Sequence, residues 1–433
     1  MKPFPRLGAF ESTKIHGSGE DILGTTRHID RWRHDLEMLR ASGISQLRYS
    51  IPWHRIESIS GRFDWDWMDG PMAYMRRHGM QPIVDPLHHT SFPDWMKGGF
   101  AHPRFPELYC RFLREFTRRY PWVEQYTVFN EPLPTTLFCS YTGMWYPHQA
   151  SDECFVRMAI QVGKAMCLVA EMLETERPGV QFVHVETCET HRALDRRSEV
   201  WVEFAQQRRF LMHDLALGRI DASHPLYPYF LQHGAHADDL AWLRDHGMRF
   251  DVLGLDYYFH SELEWYWDKG LSRANVSHSR SKPAGFANVA RDYVDRYEMP
   301  VMLTETNIRG TVYDRLTWLR FMEEQVETLA EGGADVRGFC WYPSIDSTDW
   351  CHACTKCTKS VDPQGIWCLD DRRWTRQSSV LSESYAKLAR GQATWRDLPA
   401  YRFSPPVARE LAGYIALMSH WENWVQPPVD KAA

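Results

Sequence analysis

Residues 35–57 read DLEMLRASGISQLRYSIPWHRIE, a stretch that contains the end of a helix followed by a strand. A helix-like pattern spans Asp30–Ser42 and ends at Gly43, because glycine is favoured just beyond the last helical turn. The run Gln46–Ser50 that follows has the length and composition of a strand. The stretch therefore predicts one helix–strand unit of an α/β fold.

The same alternation recurs along the chain. Eight segments are strand-like: Leu7–Glu11, Gln46–Ser50, Pro82–Leu87, Tyr126–Asn130, Gln181–Glu186, Asp251–Tyr257, Val301–Glu305 and Val336–Tyr342. The helix-like segments are Asp30–Ser42, Asp66–His78, Pro106–Tyr120, Ser151–Arg177, Ser198–Leu217, Ala237–His246, Phe286–Tyr297, Val312–Gly332 and Ser378–Arg390. Strands that alternate with helices favour a parallel sheet, and eight such units predict a closed (β/α)8 TIM barrel with elaborated βα loops.

The chain contains no Ser/Gly linker and no evident boundary, so we expect residues 1–433 to form a single domain. The polar stretch Ser261–Ser281 is predicted to be a loop between the sixth strand and the sixth helix. A Cys-rich loop, at about residues 351–368, follows the eighth strand.

Composition excludes several classes of partner. The chain has 433 residues and a formal net charge of -6, with no block of like charges. A nucleic-acid or membrane-surface protein would present a basic face, so neither partner is expected. No apolar run approaches the length of a membrane span, and Met1–Phe10 lacks the apolar core of a signal peptide. A cytoplasmic location is therefore expected, whereas the oligomeric state is not defined by the sequence.

Polar side chains gather where the predicted strands end, which is the functional face of this barrel. Glu131 and Glu305 end the fourth and seventh strands, which lie nearly opposite each other in a ring of eight. Two carboxyl groups are the minimum required for glycoside hydrolysis: one donates a proton to the leaving oxygen, and the other attacks or activates water. Glu186, at the end of the fifth strand, is expected to be a structural cap or ion-pair partner.

Six motifs at these strand ends resemble those of family 1 glycoside hydrolases of the β-glucosidase type. Besides residues 35–57 they are LHHTSFPDW (Leu87–Trp95), TVFNEP (Thr127–Pro132), FDVLGLDYY (Phe250–Tyr258), LTETN (Leu303–Asn307) and WYPSIDSTDW (Trp341–Trp350). The resemblance implies a retaining β-glycosidase on a (β/α)8 barrel that acts on a small carbohydrate or glycoside and requires no cofactor for catalysis.

The same resemblance implies roles for individual residues. Glu131 would be the general acid/base and Glu305 the nucleophile, with Arg48 and Tyr257 holding the Glu305 carboxylate and keeping it ionised. The substrate-binding residues implied by the match are Arg48, His89, Asn130, Asp256, Tyr257, Trp341, Asp349 and Trp350. Among them, Asn130 would contact the sugar 2-hydroxyl, Trp341 and Trp350 would form the floor and wall of the sugar subsite, and Asp349 would replace a sugar-binding Glu.

The sequence departs from the family pattern around the expected sugar. Glu11-Ser12-Thr13 follows Phe10 where the family has its Gln ligand, and Thr90 stands in place of a Trp. Asp256 replaces an Asn, and Asp349 is shorter than the usual Glu. Because selectivity depends on pairing buried polar groups, this altered shell predicts a changed glycone, and glucose is not assumed.

Four cysteines lie together after the eighth strand: Cys351, Cys354, Cys357 and Cys368. The Cys-x2-Cys spacings suit a structural Zn, and four sulfurs suffice for a tetrahedral site. An iron–sulfur cluster fits the fourth spacing poorly. Free thiols and local disulfides remain open alternatives.

Other functions also remain open. A non-catalytic carbohydrate-binding protein on a glycosidase barrel would have lost one catalytic Glu, and both are present. A transglycosylase would use the same pair of carboxyl groups. A metal-dependent hydrolase would need more ligands than His88 and His89 supply at the strand ends.

Overall fold

The computed structural model describes residues 4–270, 272–279 and 282–401. Its centre is a closed barrel of eight parallel strands in which every strand pairs with its neighbours in the sequence, and the last pairs with the first. The strands are β1 (Arg6–Phe10), β2 (Gln46–Ser50), β3 (Gln81–Asp85), β4 (Gln125–Tyr126), β5 (Gln181–Thr187), β6 (Val252–Asp256), β7 (Val301–Glu305) and β8 (Val336–Cys340). The (β/α)8 prediction is confirmed.

Helices surround this barrel. They are α1 (His28–Ala41), α2 (Asp66–Arg77), α3 (Phe105–Arg119), α4 (Asp152–Glu176), α5 (Glu199–Arg208), α6 (Leu211–Ala216), α7 (Tyr227–Gln232), α8 (Ala237–Asp245), α9 (Phe286–Tyr297), α10 (Val312–Glu331) and α11 (Val380–Ala389). In α3 the buried residues Phe105, Leu108, Phe112 and Phe116 recur every three or four positions. This spacing produces one apolar stripe that faces the barrel. The Ser151 hydroxyl accepts a hydrogen bond from the Cys154 amide and caps α4.

The barrel interior is filled by side chains from β1, β3, β5, β7 and β8 and the residues just after β8. This inner cluster consists of Leu7, Ala9, Ile83, Val183, Val185, Met302, Cys340 and Tyr342. Gly254 of β6 is required by close packing, because a Cβ there would lie 2.8 Å from carbons of Val185 and Thr304. The filled interior leaves the C-terminal strand ends as the place where a cleft can form.

Two local predictions are corrected. The fourth strand is regular only over Gln125–Tyr126, and Asn130 rejoins the sheet through a single bridge to His88. The predicted loop over 261–281 was wrong, because Glu262–Asp268 and Arg273–His278 form an antiparallel hairpin. This hairpin pairs with a short outer strand, Thr190–Ala193. In the hairpin, Trp265 is buried against Val276 and Ala274. The polar stretch 261–281 therefore has an apolar face.

The segment after β8 folds into two short strand pairs. Ser347–Thr348 pairs with Val361–Asp362, and Cys368–Leu369 pairs with Arg376–Gln377. The single domain over 1–433 stays a prediction, and its last part, 402–433, lies outside the described residues. Within the described ranges, every helix is too short or too polar to serve as a membrane span.

A buried ion pair fastens this last segment to the barrel. The Arg376 guanidinium donates two hydrogen bonds, of 2.7 and 2.8 Å, to the Asp35 carboxylate of α1. His28 Nδ1 lies 2.8 Å from the same carboxylate, and the paired side chains of Arg376 and Asp35 are fully buried. The segment that follows β8 is therefore held by charge as well as by packing.

We expect Asp35→Ala to lower the free energy of unfolding by about 3–5 kcal/mol, because it leaves a buried guanidinium without its partner. The exposed pair Arg337–Asp335 offers a matched control, and Asp335→Ala should cost less than about 1 kcal/mol. Denaturant unfolding of both variants measures the difference. Equal losses would mean that the Asp35 pair contributes no more than a surface contact.

Candidate active site

Glu131 and Glu305 line one cleft at the C-terminal end of the barrel. Glu305 is the last residue of β7, and Glu131 follows the short β4 just before the helical turn Pro132–Thr136. The backbone of Glu131 lies in the left-handed region, with φ at +41°. Non-glycine residues held in this region occur preferentially at functional sites. A carboxylate oxygen of Glu131 lies within 4.8 Å of one from Glu305.

Glu305 is held at both of its oxygens. Arg48 of β2 donates from Nη1 to Oε1 at 2.5 Å, and the Tyr258 hydroxyl donates to Oε2 at 2.6 Å. Arg48 also donates from Nη2 to the Asn130 side-chain oxygen. Arg48 and Glu305 are both buried, so the guanidinium stabilises the ionised carboxylate in a site that water does not screen.

The expectation that Tyr257 holds Glu305 was wrong. Its hydroxyl donates to Glu262 at 2.6 Å, and its ring stacks on Trp318 outside the barrel. Successive residues of extended chain point to opposite sides, so Asp256 and Tyr258 face inward while Tyr257 faces outward. This period of two was the signal in the sequence that distinguishes the two tyrosines.

Glu131 lies in a less polar setting than Glu305. The Nε2 atom of His89 lies 3.6 Å from Glu131 Oε2. Burial raises the pKa of Glu131 well above its usual value, and the nearby charges of Glu305 and Asp256 raise it further. The two carboxyl groups therefore have different surroundings: Glu305 accepts hydrogen bonds from Arg48 and Tyr258, whereas burial and like charges disfavour ionisation of Glu131.

The two adjacent histidines differ in charge. Burial lowers the pKa of His89, as do the neighbouring His88 and Arg48, so His89 is neutral. Burial also opposes protonation of His88, but Asp85 and Glu11 outweigh it and raise the pKa of His88. Of the two, His89 lines the cleft, where Thr135 Oγ1 lies 2.9 Å from its Nδ1.

Glu11 is a cleft residue for which the sequence analysis assigned no role. Its carboxylate accepts hydrogen bonds from Trp350 Nε1 at 2.6 Å and from Thr13 Oγ1 at 2.5 Å. Burial raises the pKa of Glu11, while the charge of His88 opposes the rise. The available signal was its position directly after β1, where the sequence analysis noted only the absence of the family's Gln.

Of the three sugar-binding residues expected in and after β8, only one lines the cleft. Trp350 lines the cleft, as expected of a wall residue. Trp341 is fully buried beneath the lining and donates from Nε1 to the Gln364 carbonyl at 2.9 Å. The expectation that Asp349 binds the sugar was wrong, because its carboxylate turns away from the cleft and caps the following loop. It accepts hydrogen bonds from the amides of Thr358, Lys359 and Ser360 and from the Thr358 hydroxyl.

Glu186 lies behind the site and supports its backbone. Its carboxyl group accepts hydrogen bonds from the Leu133 and Thr187 amides, each at 2.8 Å. Burial raises the pKa of Glu186 to about 8. These contacts agree with a structural cap that holds the turn next to Glu131.

The outer cleft is predominantly apolar and was not identified from the sequence. Its walls come from the turn after Glu131, from the hairpin, and from the segment after β7. The apolar lining residues are Leu133, Pro134, Leu137, Phe138, Trp145, Phe259, Leu263, Val276 and Ile308.

The four clustered cysteines do not form a metal site among the described residues. Cys354 packs on Ile15 and Ile22, whereas the Cys368 sulfur accepts a hydrogen bond from Arg315 at 3.4 Å. Cys368 belongs to a separate strand pair, and this pairing holds it in different surroundings from Cys354. The zinc prediction is therefore not supported, and all four are free thiols.

Comparison with known proteins agrees with this architecture. The family model described as Glycosyl hydrolase family 1 matches residues 10–260. Beta-glucosidase A of Thermotoga maritima is 21% identical over 364 residues, which cover 76% of this chain and 80% of the relative. A cyanidin 3-O-glucoside 7-O-glucosyltransferase (acyl-glucose) of Delphinium grandiflorum is 22% identical over 382 residues, covering 76% of this chain and 74% of the relative.

A solved structure gives the same fold. The beta-glucosidase from Thermotoga maritima in complex with castanospermine superposes with a TM-score of 0.76 at 17% identity, covering 91% of this chain and 98% of the other. A closed (β/α)8 barrel with two glutamates across its C-terminal cleft defines a glycoside hydrolase architecture. The family match makes this specific: the chain belongs to glycosyl hydrolase family 1.

We expect Tyr258→Phe to lower kcat/KM about 10- to 100-fold, because one hydrogen bond to a charged group contributes about 1.5–3 kcal/mol. Tyr257→Phe removes the same hydroxyl one position away and is the matched control, expected to stay within about threefold of the parent. Steady-state kinetics on a nitrophenyl glycoside measures both. A larger loss in Tyr257→Phe would restore the original assignment.

Proposed function

We propose that the protein is a retaining β-glycosidase in which Glu305 is the nucleophile and Glu131 the general acid/base. The observation that carries the proposal is that the two carboxyl groups have different hydrogen-bond partners and different surroundings. Arg48 and Tyr258 hold Glu305 as an anion, whereas Glu131 lies buried beside neutral His89. This division of roles is what double displacement requires.

In the first step, the ionised Glu305 oxygen bonds to the anomeric carbon as the glycosidic bond breaks. Glu131 donates its proton to the departing oxygen, so the aglycone leaves as a neutral alcohol. In the second step, the Glu131 carboxylate takes a proton from water, and the resulting hydroxide oxygen displaces Glu305. The sugar is released and both carboxyl groups return to their starting states.

The separation of the carboxyl groups supports retention of configuration. Retaining enzymes have carboxyl groups about 5–5.5 Å apart, whereas inverting enzymes leave about 6.5–9.5 Å for a water molecule. Glu131 and Glu305 have oxygens within 4.8 Å of each other. Such a gap suits direct attack by Glu305, and this chemistry calls for no metal or other cofactor.

We further propose that the substrate is a small glycoside with an apolar aglycone. The glycone end of the cleft carries Glu11, His89 and Trp350, and its outer walls are mainly aliphatic and aromatic. An apolar aglycone would remove these walls from water, which favours binding. The glycone itself is open, because Glu11 lies where the family has an amide and Asp349 faces away from the cleft.

Transglycosylation is the second candidate. The Delphinium relative is a glucosyltransferase by name, and an apolar outer cleft favours an acceptor other than water. A carbohydrate-binding protein without activity would leave the hydrogen-bonded pair of glutamates without a role.

The single domain over residues 1–433 and the cytoplasmic location are retained as parts of this proposal.

We expect Glu305→Gln to reduce turnover to background, because an amide cannot form the glycosyl ester. Glu131→Ala should lower kcat/KM about 10²- to 10⁴-fold on unactivated glycosides, the usual contribution of general acid catalysis. On nitrophenyl glycosides, added azide should restore its activity and yield a β-glycosyl azide. Thermal unfolding of both variants controls for misfolding, and full activity in Glu305→Gln would overturn the assignment.

A panel of nitrophenyl β-glycosides tests the function as a whole. The panel contains the glucoside, galactoside, fucoside, mannoside, xyloside and glucuronide, each compared with a disaccharide of the same glycone. We expect at least one aryl glycoside to be cleaved and the aryl form to be preferred, because of the apolar walls. Inactivity on every member would favour the binding-protein alternative, and products longer than the substrate would favour the transferase.

A further inference from the structure

A third carboxyl group, Asp256, lies beside the proposed catalytic pair. It is the last residue of β6, and carboxylate oxygens of Glu131, Asp256 and Glu305 all lie within 4.8 Å of one another. Asp256 is fully buried. Its Oδ1 accepts a hydrogen bond from Thr304 Oγ1 at 2.6 Å, and its Oδ2 has no hydrogen-bond partner among the described residues.

The titratable groups that interact electrostatically with Asp256 come from several strands of the barrel. They are Arg48 on β2, Glu131 after β4, Glu186 and Cys188 at the end of β5, Tyr258 after β6, Glu305 on β7 and Cys340 on β8. Burial raises the pKa of both thiols and of Tyr258, so these groups are neutral. Glu186, with a pKa of about 8, is protonated at neutral pH.

Arg48 is then the one cation among these described groups. Both of its terminal nitrogens donate to other residues, and its Nε has no hydrogen-bond partner among the described residues. Nη1 donates to Glu305 and to the Thr304 carbonyl, and Nη2 donates to Asn130. One guanidinium therefore serves these three buried carboxyl groups, in addition to Asp85, which also contacts His88. A buried carboxylate without a partner is costly, so the group of three must retain protons.

We propose that Asp256 is a positioning residue that acts through Glu131. Its negative charge opposes ionisation of Glu131 and thereby keeps the acid/base proton on that residue. Interacting carboxyl groups titrate as one system, and each additional member makes loss of the next proton harder. Because both Glu305 oxygens accept hydrogen bonds from Arg48 and Tyr258, as the proposed nucleophile requires, the protons that the group retains lie on Glu131 and Asp256. This inference rests on the proposed roles of Glu131 and Glu305.

The consequence for the reaction concerns its alkaline limit. Glu131 must be protonated to release the aglycone, and the alkaline limb of the kcat/KM profile reports its deprotonation in the free enzyme. Burial and the charge of Glu305 both raise the pKa of Asp256. Once Asp256 has lost its proton, its charge raises the pKa of Glu131 in turn. An amide in its place has the same shape but carries neither the charge nor the exchangeable proton.

Asp256→Asn is therefore the decisive variant. We expect the alkaline limb of kcat/KM to move down by about one pH unit, because one like charge has been removed from the system. Asp251→Asn is the matched control: Asp251 precedes the same strand at its opposite end, where it accepts a hydrogen bond from the Phe182 amide. Its limb should not move. A structural role for Asp256 would instead lower activity equally at all pH values, and that result would overturn the proposal.

A direct titration makes the test independent of turnover. Protein labelled with ¹³C at the glutamate side-chain carboxyl carbons gives a signal that Glu131→Gln removes, which identifies Glu131. Its titration midpoint should be lower in Asp256→Asn than in the parent and unchanged in Asp251→Asn. An unmoved midpoint overturns the inference even if glycosides are cleaved. Conversely, a moved midpoint in a protein that cleaves no glycoside would contradict the proposed function alone.

Discussion

The buried guanidinium of Arg48 is the interaction on which the rest of the site depends. It lies 3.5 Å from Asp85 and contacts Glu305 and Asn130 directly. A buried cation is tolerated only when it is paired and hydrogen-bonded, and these partners come from β3, from β7 and from the segment after β4. The relative positions of β2, β3, β4 and β7 are thus fixed around one charge, and the anion that this charge stabilises is the proposed nucleophile.

The packed barrel excludes water from around the Arg48 guanidinium. Inner side chains such as Leu7, Ile83 and Met302 fill the space below the cleft, and Gly254 allows β6 to approach its neighbours closely. Because the interior is packed, polar groups collect at one end only. The low dielectric there strengthens the electrostatic effect of each neighbour on Glu131 and Glu305.

Much of this architecture was accessible from the sequence. The alternation of strands and helices predicted the barrel, and the strand ends pointed to Glu131 and Glu305, because these features depend on local pattern and on the known polarity of the barrel. The roles expected of Arg48 and His89 came from the resemblance to family 1. The orientation of the tyrosine pair was missed, although the period of two after β6 contained it. The direction of Asp349 was missed for a different reason: it depends on amides ten residues further along, which no local pattern encodes.

The hairpin and the cysteines show the same limit. The hairpin was taken for a loop because its outward face is polar, and its apolar face becomes evident only when Trp265 meets Val276 across the pair. The cysteine spacing suggested a metal, but spacing alone cannot show that Cys368 belongs to a different strand pair. Contacts between distant parts of the chain decided each of these cases.

The hydrogen bond from Trp350 to Glu11 has a consequence for the order in which the molecule is assembled. It joins the segment after β8 to the end of β1, across the seam where the first and last strands close the ring. During synthesis, the part of the cleft lined by Glu11 and Trp350 cannot form until nearly the whole barrel has left the ribosome. Binding of a sugar is thereby tied in time to closure of the ring, and a partly made chain has no such pocket to offer.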